Sequence, residues 1–134
     1  MYDGILIETL TIPKIEAASL LMQRLNELLA AHKLTWNEIE YLAVNCGPAP
    51  FTTLRAVITT ANGISFATKI PLRGIDGLTA FLYQEQQQQH HSVLTVILLN
   101  AFGQDLYFGL QNETIIETGW ENGAEYLEKL AVRY

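Results

Sequence analysis

The sequence predicts an α/β protein with a mixed sheet flanked by helices. Strand-like apolar runs alternate with helix-like segments over the first two thirds of the chain, three strand-like runs then follow one another, and a closing helix ends the chain. Strands separated by helices pair in parallel, whereas consecutive strands form an antiparallel meander. At 134 residues, 49% of them hydrophobic, the chain is long enough for one domain with a real core.

The first elements predicted are a strand, a helix and a second strand. Residues Ile5 to Thr11 alternate apolar with polar side chains, which predicts a half-buried strand. Apolar residues recur at helical spacing from Ile15 to His32 and predict helix one. Thr35 and Glu38 form a capping-box pattern ahead of a buried strand at Ile39 to Val44. If both strands keep unpaired edges, we expect the chain to self-associate through them.

A Gly-Pro-Ala-Pro corner, Gly47 to Pro50, leads from that strand into helix two, which continues to about Lys69. Loops of this kind often bind phosphate, because the N–H groups in the first turn of the helix face outward. Pro48 and Pro50 remove two such donors, so we predict a rigid joint without a nucleotide. Pro50 suits the first turn of helix two, and Thr52 is a candidate cap.

The second half continues the alternation and ends in the meander. The predicted elements are a strand at Ile70 to Ile75, a helix at Leu78 to Gln89, strands at Val93 to Leu99, Asp105 to Gln111 and Thr114 to Gly119, and a helix at Ala124 to Val132.

Composition excludes several classes of protein. The net charge of -6, with eight scattered basic residues, argues against direct, strong nucleic-acid binding, which relies on clustered Lys and Arg. The longest apolar stretches are shorter than the ~20 residues of a membrane helix. One cysteine, Cys46, cannot form an internal disulfide, and with no secretory signal pattern we expect a cytoplasmic protein.

No residue pattern predicts a catalytic, metal-binding or cofactor-binding site. Cys46 precedes a helix, which favours a reactive thiol, but no histidine is placed to act as its base, and we interpret it as a small residue packed at a strand end. His90 and His91 follow a glutamine run without the further ligands that a metal needs. His32 is expected to interact with the dipole of helix one. Four carboxylates are interpreted as solvated helix faces or caps: Glu16, Glu27, Glu38 and Glu40.

The stretch from Gly47 to Phe81 resembles the signature of the TsaB family, also called YeaZ, whose loop typically reads Gly-Pro-Gly-Ser-Phe-Thr-Gly-Leu-Arg before a helix of small residues. The matching positions are Gly47, Pro48, Phe51, Thr52, Leu54 and Arg55. Ala49, Pro50 and Thr53 depart from the pattern, and Ile15-Glu16 stand near the usual His-Ser-Glu.

The resemblance implies an ASKHA (actin-like, RNase H-like) half-domain, with residues 1–134 as a single N-terminal domain that lacks the usual opening hairpin and the second half-domain. It also implies a non-catalytic scaffold that pairs with the catalytic subunit TsaD in making threonylcarbamoyladenosine at adenosine 37 of tRNA. Two alternatives stay open. One is a degenerate, self-associating domain, and the other is a small ASKHA-type ATP-dependent or peptidase-like enzyme.

In the family, the first two helices join TsaD, and here they carry a candidate surface. Small side chains recur on helix two at spacings of four, three and four, which would let another helix approach closely. Helix one is apolar over more than the ~100° arc that one core-facing side needs. We therefore predict that both helices contact a TsaD-like partner or a second copy of the chain, or that helix one packs on helix two within the chain. The candidate interface residues are Leu20, Leu21, Ala56, Thr60, Gly63 and Ala67.

Overall fold

The computed structural model describes residues 4–88, 94–113 and 115–134. They group into two compact units, one within Met1–Val44 and Ala49–Gly74, the other within Asn45–Pro48 and Ile75–Tyr134. That residues 1–134 behave as a single domain stays a prediction.

The first unit contains two helices, α1 (Ala17–Ala31) and α2 (Phe51–Thr68), which contact each other. Strands β1 (Leu42–Asn45) and β2 (Leu72–Ile75) pair with each other. The Leu42 N–H donates to the Pro71 carbonyl, and the Cys46 N–H donates to the Ile75 carbonyl. Between these two hydrogen bonds, the donor moves from Leu42 to Cys46 and the acceptor from Pro71 to Ile75, both toward the C-terminus. The strands are therefore parallel, as predicted for strands joined through a helix.

Burial in the first unit is concentrated on one side of α2. Ile64, Val44 and Ile70 are 5–7% exposed, whereas α1 contributes no buried residue. The apolar residues that recur at helical spacing along α2 are half-buried or buried throughout, at Leu54, Val57, Ile58, Ala61 and Ile64. The helix ends where Lys69 adopts a left-handed conformation, with φ of 63°, and the Ser65 hydroxyl donates to the Ile70 carbonyl at 2.7 Å.

The predicted strand at Ile5 to Thr11 is wrong. The segment has no regular secondary structure, and Ile5, Leu6 and Ile7 are 75–79% exposed. A strand is stable only when its backbone groups pair with another strand, and no described residue pairs with this segment. The expected self-association through its edge therefore loses its basis. The predicted strand at Ile39 to Val44 begins later, at Leu42.

The capping pattern at Thr35 and Glu38 is confirmed in a short 3-10 helix, Trp36–Glu38. The Glu38 carboxylate accepts hydrogen bonds from both the Thr35 hydroxyl and the Thr35 N–H, each at 2.8 Å. These bonds stabilise the charged form, and they lower the pKa of Glu38 from its ordinary value.

The second unit confirms the predicted antiparallel meander. Its strands lie in the order β3-β4-β5. The elements are α3 (Gly77–Gln88), β3 (Thr95–Asn100), β4 (Asp105–Gln111), β5 (Ile116–Asn122) and α4 (Gly123–Arg133). Gln89, Val93 and Thr114, which begin or end predicted elements, lie outside the described residues. No helix in the described ranges is long and apolar enough to span a membrane.

Helices α3 and α4 cover opposite faces of this sheet. Next to Gly109 on β4 lie Leu82 and Leu78 of α3, and a Cβ there would be 3.1 Å from Leu82 Cδ1. Phe108 faces the other way, because neighbouring side chains alternate along a strand, and its ring stacks on Tyr126 of α4 at 4.1 Å. The Tyr126 hydroxyl is buried without a hydrogen-bond partner among the described residues, and burial raises its pKa.

Candidate partner interface

The glycine-proline corner is divided between the two units. Gly47 and Pro48 belong to the second unit, where the Gly47 N–H donates to Asn45 Oδ1 at 2.8 Å and the Gly47 carbonyl accepts from Gly77 N–H at 2.7 Å. Gly47 has φ of 120°, which favours glycine, and it is buried. Its N–H is thus occupied within the protein.

The remaining motif residues begin α2 in the first unit. Pro50 is the N-cap residue, one position earlier than predicted, and the Leu54 N–H donates to its carbonyl at 2.9 Å. Thr52 lies inside the helix and no side chain caps it, so the predicted capping role is wrong. Phe51 is 71% exposed, and the Arg55 guanidinium carbon lies 5.3 Å from the centre of its ring. This contact joins two matching motif residues at the surface.

A groove of about 440 Å³ lies where α1 and α2 begin. Lys14, Ile15, Ala17 and Ala18 line it from α1 and the residues just before it, and Thr52, Thr53 and Ala56 line it from α2. Ile15 is 92% exposed. The groove exists because the Ala and Thr side chains on both helices are too small to fill the space between them.

The predicted small-residue stripe on α2 is divided along its length. Ala56 lines the groove together with residues of α1, which agrees with the alternative that α1 packs on α2 within the chain. Thr60 is half-buried, whereas Gly63 and Ala67 are exposed. A Cβ at Gly63 would have no atom within 4 Å. The second half of the stripe is therefore exposed on the surface of α2.

The predicted interface residues of α1 are both half-buried. Leu21 shares one side of the helix with Leu25 and Leu28, at the spacing of a packed stripe, whereas Leu20 lies off that stripe. Neither leucine lines the groove. Sequence reasoning missed Lys14 and Ile15 as groove residues. Lys14 precedes the predicted helix one, and Ile15, its first predicted residue, lies just before the observed α1.

The other singled-out residues have different surroundings. Cys46 is exposed just after β1, so its interpretation as a packed residue is wrong. His32 is the C-cap of α1, which agrees with its predicted place at the end of helix one, and its interaction with the dipole stays a prediction. Its Nε2 lies 2.6 Å from Glu8 Oε2, a partner that the sequence did not indicate. His90 and His91 lie outside the described residues. Within the described ranges, no three His, Cys, Asp or Glu side chains group as metal ligands do.

The carboxylates interpreted as surface groups are exposed. Glu16 occupies the N-cap position of α1, and Glu40 follows the 3-10 helix. Glu27 accepts hydrogen bonds from Gln23 at 2.7 Å and Arg24 at 2.8 Å. These bonds lower its pKa, with the bond from Gln23 contributing most. Gln23, Arg24 and Glu27 thus form a polar patch on the exposed surface of α1.

Comparison with known proteins links these features to one family. A family model described as TsaD, tRNA N6-adenosine threonylcarbamoyltransferase, matches residues 13–123. The tRNA threonylcarbamoyladenosine biosynthesis protein TsaB of Buchnera aphidicola is 30% identical over 101 residues, which cover 74% of this chain. This chain belongs to the TsaB (YeaZ) family. The TsaB protein of Haemophilus influenzae is also 30% identical, over 88 residues and 66% of this chain.

Two solved structures from Pseudomonas aeruginosa share the fold of this TsaB-family chain. YeaZ has a TM-score of 0.66 at 21% identity, and the matched region covers 89% of this chain and 56% of the YeaZ chain. A protein described as similar to peptidase YEAZ has a TM-score of 0.61 at 21% identity, and the matched region covers 76% of this chain and 48% of that protein. The α/β architecture is therefore the ASKHA-type fold of YeaZ.

The chain spans about half the length of its relatives or less. The matched regions cover 48% of the Buchnera protein and 37% of the Haemophilus protein.

Proposed function

We propose that this TsaB-family chain is a non-catalytic scaffold subunit, which pairs through α1 and α2 with a TsaD-type protein in the biosynthesis of threonylcarbamoyladenosine in tRNA. The names of both curated relatives support the pathway, and the TsaD-type family model is consistent with it. The proposal places the protein in the cytoplasm, where tRNA is modified.

The observation that carries this proposal is the apolar surface left on the α1–α2 pair. Although the helices contact each other, Ile15, Phe51 and Phe66 remain 92%, 71% and 79% exposed. Phe51 and Phe66 lie about 22 Å apart along α2, so the exposed apolar groups are spread over both ends of the helix. Exposed apolar surface on a small protein commonly marks an interaction site. The exposed Gly63 and Ala67 add a place where a partner helix can approach the α2 backbone closely.

The pairing of the basic residues in the second unit supports a role for the partner in binding tRNA. Of the eight Lys and Arg residues in the sequence, only Lys129 and Arg133 belong to the second unit. Both form ion pairs with glutamates. Strong affinity for tRNA phosphates depends on clustered cations. The second unit therefore has no cluster of unpaired Lys or Arg residues for tRNA, and the proposal assigns tRNA binding to the partner.

Two alternatives make different predictions. A self-associating domain would use the same helices to bind a second copy, and would ignore a TsaD-type protein. An ATP-dependent or peptidase-like enzyme has less support. The Gly47 N–H is occupied by Asn45, and Pro48 and Pro50 offer no N–H to a phosphate.

Gly63→Arg tests the surface without disturbing the core. Gly63 is exposed, and arginine has a higher helix propensity than glycine, so we expect this variant to fold. At an interface its unpaired charge would weaken association with a TsaD-type protein by roughly 2–5 kcal/mol, which calorimetry measures. Asn62→Arg is the matched control, because Asn62 is exposed one residue earlier and lies ~100° around the helix. Equal affinity of a folded Gly63→Arg and the wild type would remove α2 from the interface.

A further inference from the structure

We propose that the groove where α1 and α2 begin receives an apolar side chain of the partner flanked by a carboxylate, so that the docking segment is an acidic amphipathic helix. This inference rests on the proposed function, and it specifies the chemistry of the partner that α1 and α2 bind.

The shape of the groove suits an inserted side chain. Its volume is about 440 Å³, and Ala17, Ala18 and Ala56 line it with methyl groups. Ile15, 92% exposed, is part of its wall. Binding energy at interfaces is concentrated where a large side chain fills such a pocket. Although Thr52 and Thr53 also line the groove, its lining is mostly apolar, which favours an aliphatic or aromatic anchor over a polar one.

The cations around the groove favour a negative charge next to the apolar side chain of the partner. Lys14 lines it directly. Arg55 follows the groove residue Thr52 by three positions, which places both on the same side of α2. The Arg55 guanidinium contacts the Phe51 ring, and no described residue forms a hydrogen bond or ion pair with it. Glu16 is the nearby acid, at the N-cap of α1, and it accepts no capping hydrogen bond through its side chain.

Backbone donors add to the same preference. In α1 the Ala17 and Ser19 N–H groups already donate to the Lys14 and Glu16 carbonyls. In α2 no side chain caps the helix, and Thr52 and Thr53 of its first turn line the groove. The first N–H groups of a helix have no partner within the helix, and they carry partial positive charge. With Lys14 and Arg55, they complement a carboxylate on the partner.

The same charges argue against a second copy at this place. In a two-fold dimer through one face, each copy presents the same patch to the other. With the groove on the two-fold axis, Lys14 and Arg55 would approach the same residues of the second copy, and the like charges would repel. A different chain with acidic groups avoids this cost.

Charge reversal at the groove tests the inference. A TsaD-type protein from the same organism is titrated into the wild-type chain and into Lys14→Glu and Arg55→Glu, each checked for folding by circular dichroism. We expect each variant to bind about tenfold more weakly at low salt, and the difference to shrink at high salt. Arg73→Glu is the matched control, because Arg73 is an exposed cation on β2 outside the groove, and it should bind like the wild type.

The outcomes separate this inference from the proposed function. If the wild type binds and both folded glutamate variants bind with equal or higher affinity, the acidic partner is excluded while the scaffold function stands. If Arg73→Glu weakens binding as much as the groove variants do, the effect is one of net charge, and the inference fails. If the wild type shows no binding, the proposed function fails, and the inference fails with it.

Discussion

Two helical glycines, Gly77 and Gly63, show how close packing controls single positions. A Cβ at Gly77 would lie 2.6 Å from the Gly47 carbonyl oxygen and 2.9 Å from Asn45 Oδ1. Neither atom can move freely, because the carbonyl accepts from the Gly77 N–H and the Asn45 oxygen accepts from the Gly47 N–H. We expect Gly77→Ala to lower the free energy of unfolding by about 1–3 kcal/mol, as overpacking does, measured by urea denaturation.

Gly63→Ala is the matched substitution, and we expect it to raise the free energy of unfolding where Gly77→Ala lowers it. The added methyl group would contact nothing within 4 Å, and Gly63 lies inside α2. Alanine restricts the unfolded chain and suits a helix, so stability should rise by about 0.5–1 kcal/mol. Changes of the same sign in the two variants would contradict the packing described for these glycines.

At the residue scale, sequence reasoning located motif residues better than it assigned their roles. Phe51 and Arg55 were named as matching positions, and their i,i+4 spacing could have predicted the contact that they make. Thr52 was expected to cap α2, but a residue that is already helical cannot serve as its N-cap. The partner of His32 was not predictable, because Glu8 lies far from it in sequence.

At the element scale, α4 depends in part on an ion pair that titrates. Arg133 donates to both Glu117 carboxylate oxygens, at 2.9 and 3.1 Å, and these hydrogen bonds lower the pKa of Glu117 below its ordinary 4.5. A carboxylate with a lowered pKa in the folded state contributes stability above its unfolded pKa, and that contribution is lost as pH falls through the folded value.

Glu117→Gln should therefore be slightly less stable than the wild type at pH 7, with the difference disappearing as pH falls well below 4.5. The effect is small because both side chains are 43% exposed. Urea denaturation at pH 7 and pH 3 measures it, with Glu128→Gln on the exposed side of α4 as the control. A difference that persists at pH 3 would mean that Glu117 acts through packing instead of charge.

Helices were predictable from sequence and one strand was not, for a physical reason. Helix hydrogen bonds are local, so the periodic residues of α1 and α2 contain most of the information. A strand depends on a distant partner, and the alternation in Ile5 to Thr11 could not show whether one was present. The meander was predictable because its partners are neighbours along the chain. The groove was not, since it depends on how two helices meet.

For the whole molecule, we expect that the chain alone does not bind Mg-ATP. The corner offers no N–H from Pro48 or Pro50, and the Gly47 N–H already donates to Asn45. Calorimetric titration with Mg-ATP should show no saturable heat. A submillimolar, magnesium-dependent affinity would favour the enzyme alternative.

In the proposed function, α1 and α2 of this TsaB-family chain bind a TsaD-type partner. Sedimentation velocity of the purified chain, alone and mixed with the TsaD-type protein of the same organism, tests it most directly. We predict a new, faster species that contains both proteins and reaches saturation at a fixed stoichiometry. Independent sedimentation of the two proteins at micromolar concentration, with the chain associating only with itself, would contradict the claim.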